Sequence, residues 1–469
     1  MPTLAERISN GRQARRNASR ASHAQIGNLR RDPLALLKAS NRDRVERLIP
    51  LRHGRMLASP FAFFRGCALL QAHDLATTST SGFNFQICGD CHLANFGGFA
   101  TPERNLLFDL NDFDETHLGP WEWDLKRLLT SFVVAARQLS HRAADVEEFA
   151  YRAATSYQRR MHEYAAQSEL DIWYDHITFE RLLEAASDDE TRVSLRAAIK
   201  KAGKRTHDEL LPKLCDRIDG DHWRLHDTPP ALFHVGSEAA LFDNESDRDY
   251  LKDWRGYIDG MFHEYQSNLD PNRRALLNRF RIDDMAFKIV GIGSVGTRCF
   301  VLLLMDTHDN PMFLQIKQAS PSVIGEYVPL KAGYQHQGRR VVEGQRLMQA
   351  ASDQFIAWCT GPKGRHFYLR QLRDMKLSAQ IELYDSHLLS EYAALCGWVL
   401  ARAHARAGGM APEIGAYLGE GDGMAAALVK YALAYADQVE KDYERFAKAC
   451  RSGAIEARTD ADYAQDFTV

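Results

Sequence analysis

Between Ala286 and Gln318 the apolar residues stop recurring every three or four positions and run as strands instead. Ala286–Val290, Arg298–Met305 and Met312–Gln318 are rich in β-branched and aromatic residues, and a Gly-rich turn and Asp306–Pro311 separate them. A helix at Arg340–Ala351 and a further strand at His366–Gln371 follow. On both sides of this block the pattern is helical. Upstream, Asp124–Ser140 carries the buried stripe Leu125, Leu128, Leu129, Phe132, Val133 and Ala136, and Glu147–Ala166 and Phe179–Gly203 read as helices. Downstream, Ser390–Ala407 and Met424–Ala449 carry apolar stripes. The spacing therefore predicts an α+β chain: a small antiparallel sheet with one helix, set between two stretches of a larger helical body.

Composition limits what this body does. The 469 residues hold 59 Lys+Arg against 62 Asp+Glu, so bulk charge gives no support to a nucleic-acid-binding role. No run approaches the length of apolar sequence that spans a membrane. The first 55 residues carry 13 Lys+Arg and 4 acids but no apolar h-region, which reads as a solvated or docking arm with a helix near Pro33–Leu48, not a secretory signal. Eight scattered Cys suit reduced thiols, and a cytoplasmic location is expected. The breaks fall into a basic arm over 1–55, a helical part with short strands over 56–280, a β-rich part over 281–375, and closing helices over 376–469.

The densest polar cluster follows the strand expected at Phe83–Cys88: Cys88-Gly-Asp-Cys-His-Leu-Ala-Asn-Phe-Gly97. Its C-x-x-C-H spacing also attaches c-type haem, but that attachment requires export, and no second ligand pair stands at zinc spacing. Gly89-Asp90-x-His92-x-x-Asn95 suits phosphoryl transfer better. That chemistry needs a carboxylate to orient the attacking hydroxyl and a nearby amide to hold Mg²⁺. A second metal-binding carboxylate belongs on a following short strand. Asn111-Asp112-Phe-Asp114-Glu115 supplies it 17 residues after Asn95, with Asp114 as a possible further ligand. Much later comes Gly291-Ile-Gly293-Ser294-Val-Gly296. A strand follows it, so it is neither a dinucleotide fingerprint nor a Walker loop, and it fits a flap over nucleotide phosphates. Lys317 on the third strand is expected to meet the phosphates, and Glu343 on the next helix is expected to hold Lys317.

These segments, with Ser59-Pro-Phe-Ala-Phe-Phe-Arg-Gly66, Gly119-Pro-Trp-Glu-Trp-Asp-Leu-Lys-Arg127, Leu400-Ala-Arg-Ala-His-Ala-Arg406 and Ala434-Tyr-Ala-Asp437, resemble a large bacterial family, number twenty-two fifty-two among the domains of unknown function. The resemblance covers most of the chain. It implies a bilobal protein-kinase-like fold, similar to aminoglycoside and choline phosphotransferases, with ATP and Mg²⁺ as cofactors. It also implies that Asp90 is the catalytic aspartate, Asn95 and Asp112 are metal ligands, and Asp124 is a structural aspartate. A Cys stands before Gly89 where many kinases have His. The Gly loop, Lys317 and Glu343 follow the catalytic segments, which implies a circular permutation. From this, Lys317 should face Asp112 across a cleft, and helix 390–407 should lie beside the Asp90 segment. The expected activity is phosphoryl transfer from ATP to a hydroxyl, on a small molecule sooner than a protein. A nucleotide-binding pseudokinase acting through a partner, and an AMP transferase, are the alternatives. Trp121, Trp123, Trp173, Tyr174 and His176 could line a pocket or fill a core, and Arg65 could meet a phosphate or an acidic partner or be structural.

Overall fold

The computed structural model describes residues 2–465 apart from 187, 205–206, 219–221, 235–253, 329, 331–332 and 373–375. Most expected strands and helices form with boundaries shifted by a few residues, but the helix expected near Pro33–Leu48 ends at Ala39, with a short 3₁₀ turn at Glu46–Leu48. The six-stranded antiparallel sheet runs, edge to edge, Ala357–Thr360, His366–Gln371, Pro311–Gln318, Cys299–Met305, Arg281–Lys288 and Leu232–Phe233. Strand Cys299–Met305 is buried throughout because both faces of the sheet are covered. Its alternation sends Phe300, Leu302 and Leu304 into one apolar cluster and Val301, Leu303 and Met305 into another. Helix Gln337–Met348 connects the Lys317 strand to Ala357–Thr360.

The helical body has a third, larger core. Helix Trp121–Gln138 runs through it with almost every residue buried. Helices Ala143–Ala165, Ser386–Gly408 and Gly423–Arg451 pack around it. The expected single helix over Phe179–Gly203 is two, Phe179–Ala185 and Asp189–Gly203. Asp188 caps the second by accepting from the Thr191 amide, a turn signal stronger than the surrounding apolar spacing.

The first 55 residues are largely helical and docked. Helix Leu4–Asn17 packs on Ala411–Leu418, and Arg7 pairs with Glu413 at 2.8 Å. Arg31 bridges the buried carboxylates of Asp74 and Asp442 at 2.7 and 2.6 Å. Of the two readings of this arm, solvated or docking, the docked one forms, and its positive charge is partly internal. No described helix is long and apolar enough to cross a membrane.

Candidate functional site

The two acidic loops face each other because one β-ribbon is interrupted on both legs. Asn84–Ile87 pairs with His117–Pro120, and Phe96–Ala100 pairs with Leu106–Leu110. Between these halves, residues 88–95 leave one leg and 111–116 leave the other. The Asn111 amide donates to the Asn95 carbonyl at 2.9 Å, and Thr116 Oγ1 donates to the Ile87 carbonyl at 2.6 Å, so the loops are tied together at both ends. Gly89 makes this approach possible. Its φ is +82°, and a Cβ there would stand 2.2 Å from the Glu115 carbonyl oxygen.

Helix Trp121–Gln138 is the template for the Asp90 loop. Residues 124, 127 and 131 follow the i, i+3, i+7 spacing of one helix face. The Asp124 carboxylate accepts from the amides of Cys88 and Gly89 at 2.7 and 2.8 Å. Ser131 Oγ accepts from the Leu93 amide at 2.9 Å. Arg127 Nε donates to Asp90 Oδ1, and its other nitrogens donate to Gln71 Oε1 and the Phe64 carbonyl. The Arg127 side chain is 3% exposed and that of Asp90 23%, and the second Asp90 oxygen has no hydrogen bond among the described residues. Helix Ser386–Gly408 lies beside this segment, as expected. Tyr392 Oη donates to the Leu93 carbonyl, and His404 Nε2 stands 3.2 Å from Asp124 Oδ2 with Tyr157 Oη on its other nitrogen.

The sheet brings Lys317 against the Asp112–Asp114 loop, although Lys317 itself is buried and does not line the cavity that loop faces. Its Nζ lies 2.6 Å from Asp114 Oδ2 and 4.0 Å from Asp112 Oδ1, despite a separation of about two hundred residues. Lys317 and Tyr368 are register partners in neighbouring strands, and Tyr368 Oη donates to Asp114 Oδ1 at 2.6 Å. Burial opposes the Lys317 charge, yet Asp112 and Asp114 outweigh it and hold the ammonium well above the usual lysine range. For Asp114, burial is likewise outweighed by Lys317 and then Tyr368, so its carboxyl sits below the usual range.

The expected holder of Lys317 is therefore corrected: Asp114 fills that place, not Glu343. Glu343 accepts instead from Arg339 Nε at 2.6 Å, one turn away on its own helix. The inward face of that helix carries Val341, Val342, Gly344 and the buried Arg340, whose Nη2 donates to the carbonyls of Asp114 and Ser320. Asp114 is also a poorer candidate for a metal ligand than the sequence suggested, since both its oxygens already accept hydrogen bonds.

Asp90, Asn95, Asp112, Asp114, Gly291, Gly293 and Ser294 line one cavity of about 280 Å³. Gly296 closes the glycine turn behind it, at φ +87°, where the Gly296 carbonyl accepts from the Val45 amide and a Cβ would meet Arg44. Arg44 Nη1 donates to the Val295 carbonyl and Arg55 Nη1 to that of Gly291. The N-terminal arm thus forms part of the cavity wall. Glu115, also on the wall, is pushed up to about 7 by burial, although the Val323 amide donates to it. Cys88 and Cys91 are buried free thiols, and Cys88 Sγ donates to the Asp112 carbonyl.

The donor chemistry fits Mg²⁺. Asn95 Nδ2 donates to the Asp90 carbonyl at 2.8 Å, which leaves Asn95 Oδ1 as an acceptor. Asp112 Oδ1 accepts from the Asp114 amide, and its Oδ2 has no hydrogen bond among the described residues. Two hard oxygens would be completed by phosphate and water, the usual coordination of Mg²⁺. Among the described residues no group of three His, Cys, Asp or Glu side chains is placed to hold a metal without such help.

Arg127, Tyr368 and Arg340 were not singled out from the sequence. Only Arg127 had a readable signal, its three-residue spacing from Asp124. Of the aromatic candidates, Trp121 and Trp123 are core residues, while Trp173 and Tyr174 are exposed, away from the cavity. A search of the curated proteins and a search of the solved structures each return no match. The family model DUF2252, described as an uncharacterized protein conserved in bacteria, matches residues 44–449. The chain belongs to that bacterial family.

Proposed function

We propose that the chain is an ATP- and Mg²⁺-dependent phosphotransferase of bilobal, circularly permuted protein-kinase-like fold, acting on a hydroxyl acceptor that is a small molecule. The observation that carries this reading is the meeting of Lys317 with Asp112 and Asp114 beside Asp90 and Asn95. The order of parts within the sheet supports it: a glycine turn between two antiparallel strands, a buried Lys on the next strand, and then a helix. The permutation accounts for those parts following the Asp90 and Asp112 loops in the chain.

In this reading Asp90 Oδ2 orients the acceptor hydroxyl and takes its proton. Arg127 fixes the other carboxylate oxygen and so the direction of that one. The acceptor oxygen forms a bond to the γ-phosphorus as the bond from that phosphorus to the ADP oxygen breaks. Asn95 and Asp112 would hold Mg²⁺, which neutralises phosphate charge, and Lys317 leaves Asp114 to meet the α/β-phosphates. The amides of the Gly291–Ser294 turn, which lines the cavity, would close over phosphate oxygens.

A second reading keeps the nucleotide site without the chemistry, or transfers AMP. The Asp90–Arg127 ion pair favours the non-catalytic form, because one oxygen of the carboxylate is already committed to the guanidinium. One experiment separates the three. Purified protein is incubated with ATP labelled at the γ- or at the α-phosphate, wild type beside Asp90→Asn. Phosphotransfer releases or transfers only γ-label and drops by about 10²-fold or more in the variant. Transfer of α-label indicates AMP transfer, and equal turnover in the two proteins leaves the binding role.

A further inference from the structure

The glycine turn has its carbonyls held and its amides free. Arg55 Nη1 donates to the Gly291 carbonyl at 2.7 Å, Arg44 Nη1 to that of Val295, and the Val45 amide to that of Gly296. The amides of Ile292, Gly293 and Ser294, three in succession, have no hydrogen bond among the described residues, and all three residues line the cavity. In a planar trans peptide the N–H points opposite to the C=O. A fixed Gly291 carbonyl therefore fixes the direction of the Ile292 amide, the first of the three.

Arg55 is itself held by a segment 405 residues further along the chain. Its Nε and Nη2 donate to the two oxygens of Asp460 at 3.2 and 2.5 Å, while Nη1 serves Gly291. The segment is docked on Ile49–Leu57, the helix that carries Arg55. The Arg458 amide donates to the Pro50 carbonyl at 2.9 Å, and His53 Nδ1 meets the Glu456 carbonyl at 2.8 Å. A Cβ at Gly54 would stand 1.9 Å from the Arg458 carbonyl oxygen. Tyr463 is buried in the core cluster that contains Val45, Leu48, Leu51 and Val295. A half-exposed ion pair contributes little to stability by itself. A two-pronged one sets the plane of the guanidinium, and so the aim of its remaining N–H groups. Residues 455–463 lie beyond those that the family model matches.

We propose that Arg55 is a positioning residue for the phosphate-binding turn and that Asp460 aims it, so that segment 455–463 is a working part of the nucleotide site. This rests on the nucleotide-binding part of the phosphotransferase reading. Arg55 does not line the cavity, so it acts through the Gly291 carbonyl and not on a phosphate. Its effect is to keep the three free amides in one arrangement before the nucleotide arrives. Binding then does not have to order the turn, and successive amides held in this way make a ready anion site.

The test compares the full chain as wild type, Arg55→Ala, Arg55→Lys and Asp460→Ala, each first shown to melt as a folded protein. Titrations with ATP in Mg²⁺ and with adenosine separate the turn from the rest of the site, because adenosine carries no phosphate for the turn to meet. ATP affinity should fall about 3- to 20-fold in Arg55→Ala and Asp460→Ala, while adenosine affinity stays within about twofold. Arg55→Lys should recover part of the loss, since its ammonium can still donate to the Gly291 carbonyl. Hydrogen exchange over residues 291–297 of the nucleotide-free protein should quicken in the two Ala variants, because the Val295 and Thr297 amides that close the turn lose protection. Unchanged ATP affinity or unchanged exchange in Arg55→Ala overturns the proposal. So does a parallel loss of adenosine affinity, which marks general damage to the fold. Faster exchange in Arg55→Ala, in a chain whose wild type binds no ATP, would keep Arg55 as the holder of the turn and reject the nucleotide reading separately.

Discussion

Asp124 shapes the site without lining the cavity. Its two oxygens each hold a buried amide of the Asp90 loop, so losing them strands two donors in the core. Asp124→Ala is expected to cost about 2–5 kcal/mol, read as a fall in Tm, and Asp124→Asn less, because an amide oxygen still accepts one bond. A Tm unchanged in both would remove Asp124 from this role. Glu115 gives a signature in pH. Its folded pKa, about 7, lies above its ordinary 4.5, because burial disfavours the charge. That raised value contributes stability that is complete below pH ~4.5 and is lost as pH rises through about 7. Its size is at most ~3 kcal/mol. Glu115→Gln should flatten the fall in Tm between pH 5 and 8; a slope that survives the substitution belongs to other groups. At this scale much was legible. The spacing of Asp90, Asn95 and Asp112 identifies residues that share one cavity, because loops of a single ribbon keep short-range order. The partner of Lys317 was not legible, because it depends on how the helix after its strand is rotated.

That rotation belongs to the scale of elements. Helix Gln337–Met348 presents Val341, Val342 and Gly344 inward, which turns Glu343 toward Arg339 and solvent. Gly344 lies so close to the Asp112 loop that a Cβ would stand 2.5 Å from Thr116 Cγ2. The Lys317 strand, meanwhile, places Lys317 opposite Tyr368, and both reach Asp114. Asp114→Asn should therefore lower both Tm and nucleotide affinity, since it leaves a buried ammonium short of its nearest anion. Breaking a buried pair in this way costs about 3–5 kcal/mol. Glu343→Gln disturbs an i,i+4 pair with Arg339 worth about 0.3–0.5 kcal/mol and keeps an oxygen that can accept from the Tyr334 hydroxyl. Should Glu343→Gln prove the more damaging of the two in parallel melts, this account of the helix face would be wrong. Sequence periodicity gave the helix and the strand separately, but neither the register nor the roll that joins them.

Across the whole molecule, contacts distant in sequence decide what local composition leaves open. The basic first 55 residues read as either a solvated or a docking arm, and long-range contacts decide for docking: Arg31 bridges Asp74 and Asp442, and residues 44, 45 and 55 hold the glycine turn. Because those acids lie up to four hundred residues away, no window of sequence shows the pairing. Arg31→Ala should leave two buried carboxylates facing each other and cost about 3–5 kcal/mol, most of it regained at pH values low enough to neutralise one of them. The same long-range closure brings the Lys317 strand to the Asp112 loop, and the functional account depends on that meeting. The direct test is an equilibrium titration of the full chain with ATP, in Mg²⁺ and in excess chelator, for wild type and Asp112→Asn. The account predicts saturable binding in Mg²⁺ with a Kd below about 1 mM, weakened at least about tenfold by chelation and by the substitution alike. Wild-type protein that binds no ATP in Mg²⁺, or binds it equally well without the cation and without Asp112, would contradict it.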